Sequence, residues 1–313
     1  MIPSRILVVG SANMDLVVKA PRMPVAGETV VGGEFSTVRG GKGANQAVAC
    51  ARLGADTWML GCVGHDAFGE QLAAGLAGDG VHCDYLRRHE TAPSGTAIII
   101  IDATGENSIV VAPGANMEVA PEDIATVADL NGFDAILLQL EVPMPVVAAA
   151  VAAGRAAGVL SVLDAGPPNV LPQEVLSGVD VLSPNETEAR AILGEAVDAT
   201  MASEEIADRL IAAGARSVVL KLGAEGALVA MPEALERVKA FPVEPVDTTG
   251  AGDAFTAALA VTLAEGHDII WAATVGAAAG ALAATVFGAA PSMPTREKVG
   301  RFLKERGAAS RWN

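Results

Sequence analysis

The sequence predicts an α/β protein in three layers, α/β/α, with a mostly parallel central sheet and a small β-sheet lid. Three observations predict it. Short apolar runs without polar alternation recur at 6–9, 58–63, 135–140, 159–163, 179–182, 217–222 and 227–230, the pattern of strands buried on both faces. Alanine-rich helical segments separate many of them, at 44–53, 68–76, 146–157, 204–213 and 254–264. Alternation of this kind builds a parallel sheet with helices on both sides, and ligands then bind beyond the carboxyl ends of the strands.

Third, two regions break the rhythm. Around 15–38 the turn formers Pro21, Pro24, Gly27, Gly32 and Gly33 separate short β-prone pieces. At 96–111, "TAIIIIDATGENSIVV" reads as two strands about a turn at 102–107,. These pieces are assigned to the lid. The run at 98–101 is apolar at every position, so both of its faces are expected to be covered, one of them by a partner subunit. The uncharged stretch 269–288, "IIWAATVGAAAGALAATVFG", has the length of a membrane span,. It is mostly Ala and Gly, which contribute little to insertion, and is read as a fully buried helix. No tandem repeat or low-complexity linker interrupts the chain.

Composition narrows the partners. Of 313 residues, 51% are hydrophobic and only 4% aromatic, which favours closely packed helices on a sheet over an aromatic binding surface. Lys and Arg number 21 against 37 Asp and Glu, a net charge of −16. Nucleic acid and anionic membrane are thereby excluded as partners, whereas a local cation can still admit an anionic substrate. Cys50, Cys62 and Cys83 show no CxxC spacing and are read as small core thiols in a reducing cytoplasm. The start of the chain reaches polar Asn13 and Asp15 after a four-residue apolar run, so no signal peptide is expected.

Two glycine-rich segments carry the chemistry. At 39–49, "RGGKGANQAVA" looks like a phosphate loop entering a helix, yet it fails the Walker A spacing: Ser36 and Gly43 stand where Gly and Ser/Thr belong,. It is either an unusual anion site or a backbone device for another ligand. At 247–255, "DTTGAGDAF" places Gly250, Ala251 and Gly252 at a helix start, where backbone amides and the dipole favour an anion,. Asp253 falls in the first turn. There a carboxylate can take a proton from a hydroxyl while the amides hold the charge of a transferring phosphoryl group. The same string also reads as a turn with a helix cap. In "GSANMD", Asn13 and Asp15 share a strand face and suit sugar hydroxyls, or else form an Asx turn. That segment lacks the G-x-G-x-x-G spacing of a dinucleotide site.

Taken together, "VVGSANMD", "GGKGANQA", "QLE", "SPNETEA", "LKLGAEGA", "DTTGAGDAF" and "GAAPSMP" occur in an order that resembles the PfkB carbohydrate kinase family, in particular its ribose-phosphorylating branch. The resemblance spans nearly the whole chain and implies a single catalytic domain over 1–313, with the lid drawn from about 13–38 and 95–112. It implies ATP-dependent phosphorylation of the primary 5-hydroxyl of D-ribose, giving D-ribose 5-phosphate and ADP. Another sugar or nucleoside, such as deoxyribose or fructose, and a non-catalytic sugar-binding protein on the same fold are the alternatives.

The residue roles follow from the same resemblance. Asn13, Asp15, Gly41, Lys42, Asn45 and Glu141 would hold the sugar, with Asp253 as base and Gly250, Ala251 and Gly252 as anion cradle. Asn185 and Glu188, at i, i+3 on a helix start, would serve magnesium and phosphate through water. Lys221, Gly223, Gly226 and Gly252 would wrap ATP, and Gly276 and Ala277 would pack near the adenine. Asp247, Thr249, Ala283, Val286, Gly288 and Ser292 would bind a monovalent cation, potassium, mostly through carbonyls. The apolar run at 98–101, rather than the resemblance, suggests a homodimer through the lid. Two departures stand out: His65 in "VGHD" replaces a commoner acidic residue, and "DAGPPN" at 164–169 replaces an Asn-Pro-Ala-Pro-like segment near the phosphates. His82, His89 and His267 show no ligand spacing and are read as surface residues.

Overall fold

The computed structural model describes residues 2–196 and 201–308; the expected domain bounds at 1 and 313 lie outside them. Among the described residues thirteen strands form two sheets. They are β1 (Arg5–Val9), β2 (Asn13–Lys19), β3 (Phe35–Gly40), β4 (Asp56–Gly64), β5 (Val81–His89), β6 (Gly95–Ile101), β7 (Asn107–Ala112), β8 (Ala135–Leu138), β9 (Leu160–Asp164), β10 (Val181–Ser183), β11 (Val218–Lys221), β12 (Ala227–Met231) and β13 (Ala234–Val238).

The central sheet has nine strands in the order β13-β12-β11-β10-β9-β8-β1-β4-β5. From β11 to β5 every pairing is parallel, and β12 and β13 add an antiparallel edge. The unbroken apolar run of β1 has its reason here, since Ile6, Leu7, Val8 and Val9 are wholly buried between layers. Chain order runs outward from β1 in one direction and from β8 in the other. The loops leaving β1 and β8 therefore part at a topological switch point, where such sheets open a crevice.

Every expected apolar run forms a strand, with ends shifted by up to about two residues, as is usual for boundaries. β5 and β13 were not foreseen. Both are edge strands, and the polar sequence of β5, "VHCDYLRRH", has no apolar run to reveal it.

The uncharged stretch forms the 15-residue helix Ile269–Ala283, capped by Asp268, which accepts from the Trp271 amide at 2.8 Å. Among the described residues no helix is long and apolar enough to cross a membrane. This helix packs on helix Ala251–Ala264, and small residues let the two backbones meet. A Cβ on Gly276 would lie 2.9 Å from the Phe255 carbonyl oxygen, and one on Gly280 3.0 Å from that of Ala251.

The second sheet has the order β3-β2-β6-β7, with β2 and β6 parallel and the outer pairs antiparallel. β2 begins three residues after β1 ends, so the lid is a direct continuation of the core. Among the described residues the run 98–101 is covered only in part, with Ile99, Ile100 and Ile101 half-buried. Ile98 is 49% exposed, its neighbour across the pairing, Val110, is 67% exposed, and β7 is exposed along its whole length.

Candidate active site

Loops and strand ends at the switch point bring the candidate residues together. Asn13, buried at the start of β2, accepts from Asn116 Nδ2 at 2.7 Å, while Asn116 Oδ1 accepts from the Ala12 amide at 2.9 Å. Asp15 lies on the same strand face. A Cβ on Gly40 would sit 2.2 Å from the Asp15 carboxylate, so the glycine makes room for it. Burial, and then the charges of Glu141 and Asp253, push the Asp15 carboxyl up to about 7.

Helix Lys42–Arg52 starts at Gly41, whose φ of 88° is a left-handed value that favours glycine,. A Cβ there would meet the Asn13 amide nitrogen at 2.7 Å. The positive end of this helix is answered by the protein itself: Glu141 Oε2 accepts from the Lys42 amide at 3.0 Å and also from the Ser11 hydroxyl. The Lys42 ammonium turns the other way, 3.1 Å from Asp164 Oδ2 and 3.6 Å from Asp253 Oδ1. Burial alone would lower its pKa. The carboxylates of Asp164, Asp253, Glu188 and Glu141 outweigh burial and hold it well above the ordinary lysine value.

Helix Ala251–Ala264 also starts at a left-handed glycine, Gly250 with φ 79°, and no side chain caps it. Of the three residues expected to cradle an anion, Ala251 donates its amide to the Thr248 carbonyl at 3.1 Å. Asp253, in the first turn, is buried. Its carboxylate accepts from Asn45 Nδ2 at 2.9 Å and from Gln46 Nε2 at 3.0 Å. Gln46 in turn accepts from Gln139 Nε2 at 2.6 Å. The other amide oxygens, Asn45 Oδ1 and Gln139 Oε1, are buried without a hydrogen-bond partner among the described residues.

The strand ends of β9 and β11 supply what the motifs did not announce. Asp164, fully buried at the end of β9, accepts from Lys221 Nζ at 2.6 Å, Lys42 Nζ at 3.1 Å and Gln46 Nε2 at 2.6 Å. Burial would raise its pKa, but the two ammonium groups reverse this and hold it below the usual carboxylate value. Lys221 Nζ also lies 3.9 Å from Glu188 Oε2. Glu188 and Asn185 cap helix Glu186–Ile192 reciprocally: each side chain accepts from the other's amide, at 2.7 and 2.8 Å,. The segment is thus a reciprocal helix cap, and the same buried Glu188 faces Gly166, where a Cβ would fall 2.4 Å from its Oε1.

The remaining candidates are dispersed around this centre. Gly223 and Gly226 take left-handed φ values of 55° and 95° in the turn between β11 and β12, and a Cβ on Gly226 would lie 2.1 Å from the Val238 carbonyl oxygen. Ala277 is buried in helix Ile269–Ala283, next to the Gly276 contact with Phe255. Asp247 joins two loops, accepting from the Thr249 amide and the Gly288 amide, each at 2.9 Å. Burial opposes this, yet these bonds keep its carboxyl below the usual value. The Ala283 carbonyl accepts from the Val286 amide at 3.0 Å, and the Ser292 hydroxyl donates to the Ala289 carbonyl at 2.7 Å. A cleft of about 390 Å³ runs from Asp15 past Ile99 and Ile109 of the lid to Asp247 and Gly288. Of the histidines, His82 stacks on Trp58 and pairs with Asp56 at 2.9 Å, and His65 is exposed.

Asp164, Gln46, Gln139 and Ser11 are the residues that sequence reasoning passed over. Gln46 carried a signal, since it lies one helical turn beyond Lys42 and beside Asn45. Asp164 registered only as a departure from a motif.

A lidded α/β crevice that offers amides and carboxylates on one side, and lysines with a glycine-led helix start on the other, suits a polyhydroxylated molecule beside a polyanion. That pairing is the one a sugar kinase handles. The pattern of the pfkB family carbohydrate kinases matches residues 3–296, and the chain belongs to that family. It is 40% identical to a ribokinase of Bacillus subtilis (strain 168) over 299 residues, 95% of this chain and 99% of the relative. A deoxyribokinase of Salmonella typhi is 34% identical over 95% of this chain and 98% of its own length. Among solved structures, Arabidopsis thaliana ribokinase complexed with ribose and ATP superposes with a TM-score of 0.88 at 37% identity, over 97% of this chain and 99% of that one.

Proposed function

We propose that this carbohydrate kinase transfers the γ-phosphoryl group of ATP to the 5-hydroxyl of D-ribose, giving D-ribose 5-phosphate and ADP. The observation that carries the reading is Asp253. Its buried carboxylate is aimed by Asn45 and Gln46 at the start of a glycine-led helix, with Lys42 beside it. Asp253 accepts the proton of the sugar hydroxyl as that oxygen bonds to phosphorus and the bond to the ADP oxygen breaks. The amides of Gly250 and Gly252 and the nearby lysines stabilise the charge on the transferring group, with Ala251 holding the turn through its bond to the Thr248 carbonyl,. Proton transfer to a positioned base contributes on the order of 10²- to 10⁴-fold.

Asn13, Asp15, Gly41, Lys42, Asn45 and Glu141 hold the sugar. The unpartnered Asn45 Oδ1 is a ready acceptor for a hydroxyl, and Asp15 lines the cleft. Lys221, Gly223, Gly226, Gly252 and Ala277 receive the nucleotide. Among the described residues no cluster of three or more His, Cys, Asp or Glu could hold a metal. A single buried carboxylate with one oxygen committed to a cap fits magnesium held by the nucleotide and through water, with Glu188 and Asn185 as its protein contacts. Bound there, the ion neutralises phosphate charge. The ionised Asp247, with Thr249, Ala283, Val286, Gly288 and Ser292, fits a monovalent cation such as potassium resting mainly on carbonyl oxygens.

The chain acts as one catalytic unit, as a homodimer through its lid; the exposed Ile98, Ile109, Val110 and Val111 support this. A cytoplasmic setting accords with three free thiols. The deoxyribokinase relative keeps deoxyribose as a second reading. ADP release measured over ribose, deoxyribose, fructose and nucleosides, with and without potassium, tests the assignment. Ribose should give the highest kcat/KM, and a higher value for any other acceptor overturns it.

A further inference from the structure

We propose that Asp164 is a positioning residue for phosphoryl transfer: it draws the Lys42 ammonium away from Asp253, so that the base keeps its affinity for the sugar proton. The inference rests on the kinase reading above. Its geometric basis is a competition between two carboxylates for one cation. Lys42 Nζ hydrogen-bonds Asp164 at 3.1 Å and stands 3.6 Å from Asp253. Gln46 Nε2 bridges the same two oxygens, at 2.6 Å to Asp164 and 3.0 Å to Asp253, and so fixes the spacing between them. The cation is thereby anchored on the carboxylate that does no chemistry.

Asp164 has a second anchor on its other oxygen, Lys221 Nζ at 2.6 Å. It therefore cannot follow Lys42 toward the base, and its position at the end of β9 fixes its backbone in the sheet. The other charges around this group come from Asp15 on β2, Glu141 after β8, Glu188 on helix Glu186–Ile192 and Asp253 itself. Among the described residues, Asp164 and Asp253 are the carboxylates within 4 Å of the Lys42 ammonium. Without the charge on Asp164, Lys42 has one close carboxylate left. A full ion pair there would stabilise the ionised base and weaken its hold on a proton.

The test is a charge cycle read by pH. Single-turnover phosphoryl transfer from ATP to ribose is followed across pH for wild type, Asp164→Asn, Lys42→Met and the double variant, with thermal melts of each. Single turnovers keep slow variants measurable. The proposal expects the acid limb to move down by about one pH unit in Asp164→Asn, to move up in Lys42→Met, and to differ by less than about 0.5 unit between Lys42→Met and the double variant, in which no ammonium is left for Asp164 to hold. In the variants without Asp164 the Lys221 ammonium keeps Glu188 at 3.9 Å as a partner, and the melts report what the loss of Asp164 costs. Should Asp164→Asn misfold, Asp164→Ser takes its place in the same comparison, with and without Lys42→Met. Limbs that stay together in variants with normal melts overturn the proposal, as does an Asp164→Asn shift of the same size with and without Lys42. A wild-type protein that transfers no phosphoryl group to ribose overturns the kinase reading instead.

Discussion

Two helices of this protein begin in the same way and serve different ends. Gly41 and Gly250 both take left-handed φ values and, as glycines, supply no side-chain cap of their own. At Gly41 the positive helix end is filled from within, because Glu141 accepts from the Lys42 amide. At Gly250 no carboxylate caps the helix, and the acidic residue of the first turn, Asp253, points across to Asn45 and Gln46 of the other helix. A glycine-led helix start is thus a capacity for binding anions. Whether it binds one depends on what distant parts of the chain already place there.

The largest expected effect tests the open junction. Asp253→Asn should lose at least about two decades of kcat while the ribose KM and the melting temperature change little; near-normal turnover would sink the assignment of the base. Next come the two glycines, compared by urea unfolding. In Gly41→Ala a methyl would press on the Asn13 amide nitrogen at 2.7 Å and the Ala12 Cα at 2.9 Å, both backbone. In Gly250→Ala the nearest atom, at 2.9 Å, is the flexible tip of Met293. Both impose left-handed strain, costing about 1–2 kcal/mol, and Gly41→Ala should lose more stability. Equal losses would mean that the backbone gives way at Gly41.

A smaller effect concerns pH on the sugar side. Because the Asp15 carboxyl is raised from 3.8 to about 7, the folded protein binds a proton there that the unfolded chain has released. Its contribution therefore makes the ligand-free protein less stable as pH rises from about 4 to 7. Ribose hydroxyls favour the ionised acceptor, so the ribose KM should rise several-fold as pH falls from about 7.5 to 6, and Asp15→Asn should abolish that dependence. A pH-independent KM in wild type would break the link. The mildest expectation sharpens the comparison itself. Glu141→Ala empties the first junction, and inorganic phosphate should then become a weak inhibitor competitive with ribose. If phosphate acts on the variant no more than on wild type, the two junctions differ in more than their occupant.

Much of this architecture was written in local patterns. The core strands appear as apolar runs because burial between two helical layers forbids polar positions, and the two glycine segments appear because left-handed turns restrict residue choice. The edge strands β5 and β13 escaped, since a strand half open to solvent carries the composition of a loop. At the site, Asn13, Lys42, Asn45 and Asp253 belong to motifs and meet in space. Asp164 could not be found in this way. Its importance lies in two lysines, at positions 42 and 221, that converge on it only after the sheet is assembled.

A second chain on the exposed edge of the lid would tie the behaviour of the protein to its own concentration. β7 shows water all six of its residues, and β2 of the same sheet carries Asn13 and Asp15. If a second chain covers that edge, mass action sets how often the lid is buttressed. Specific activity would then fall on dilution into an assay, as catalytic centres intact in sequence lose the neighbour that steadies their sugar-binding strand.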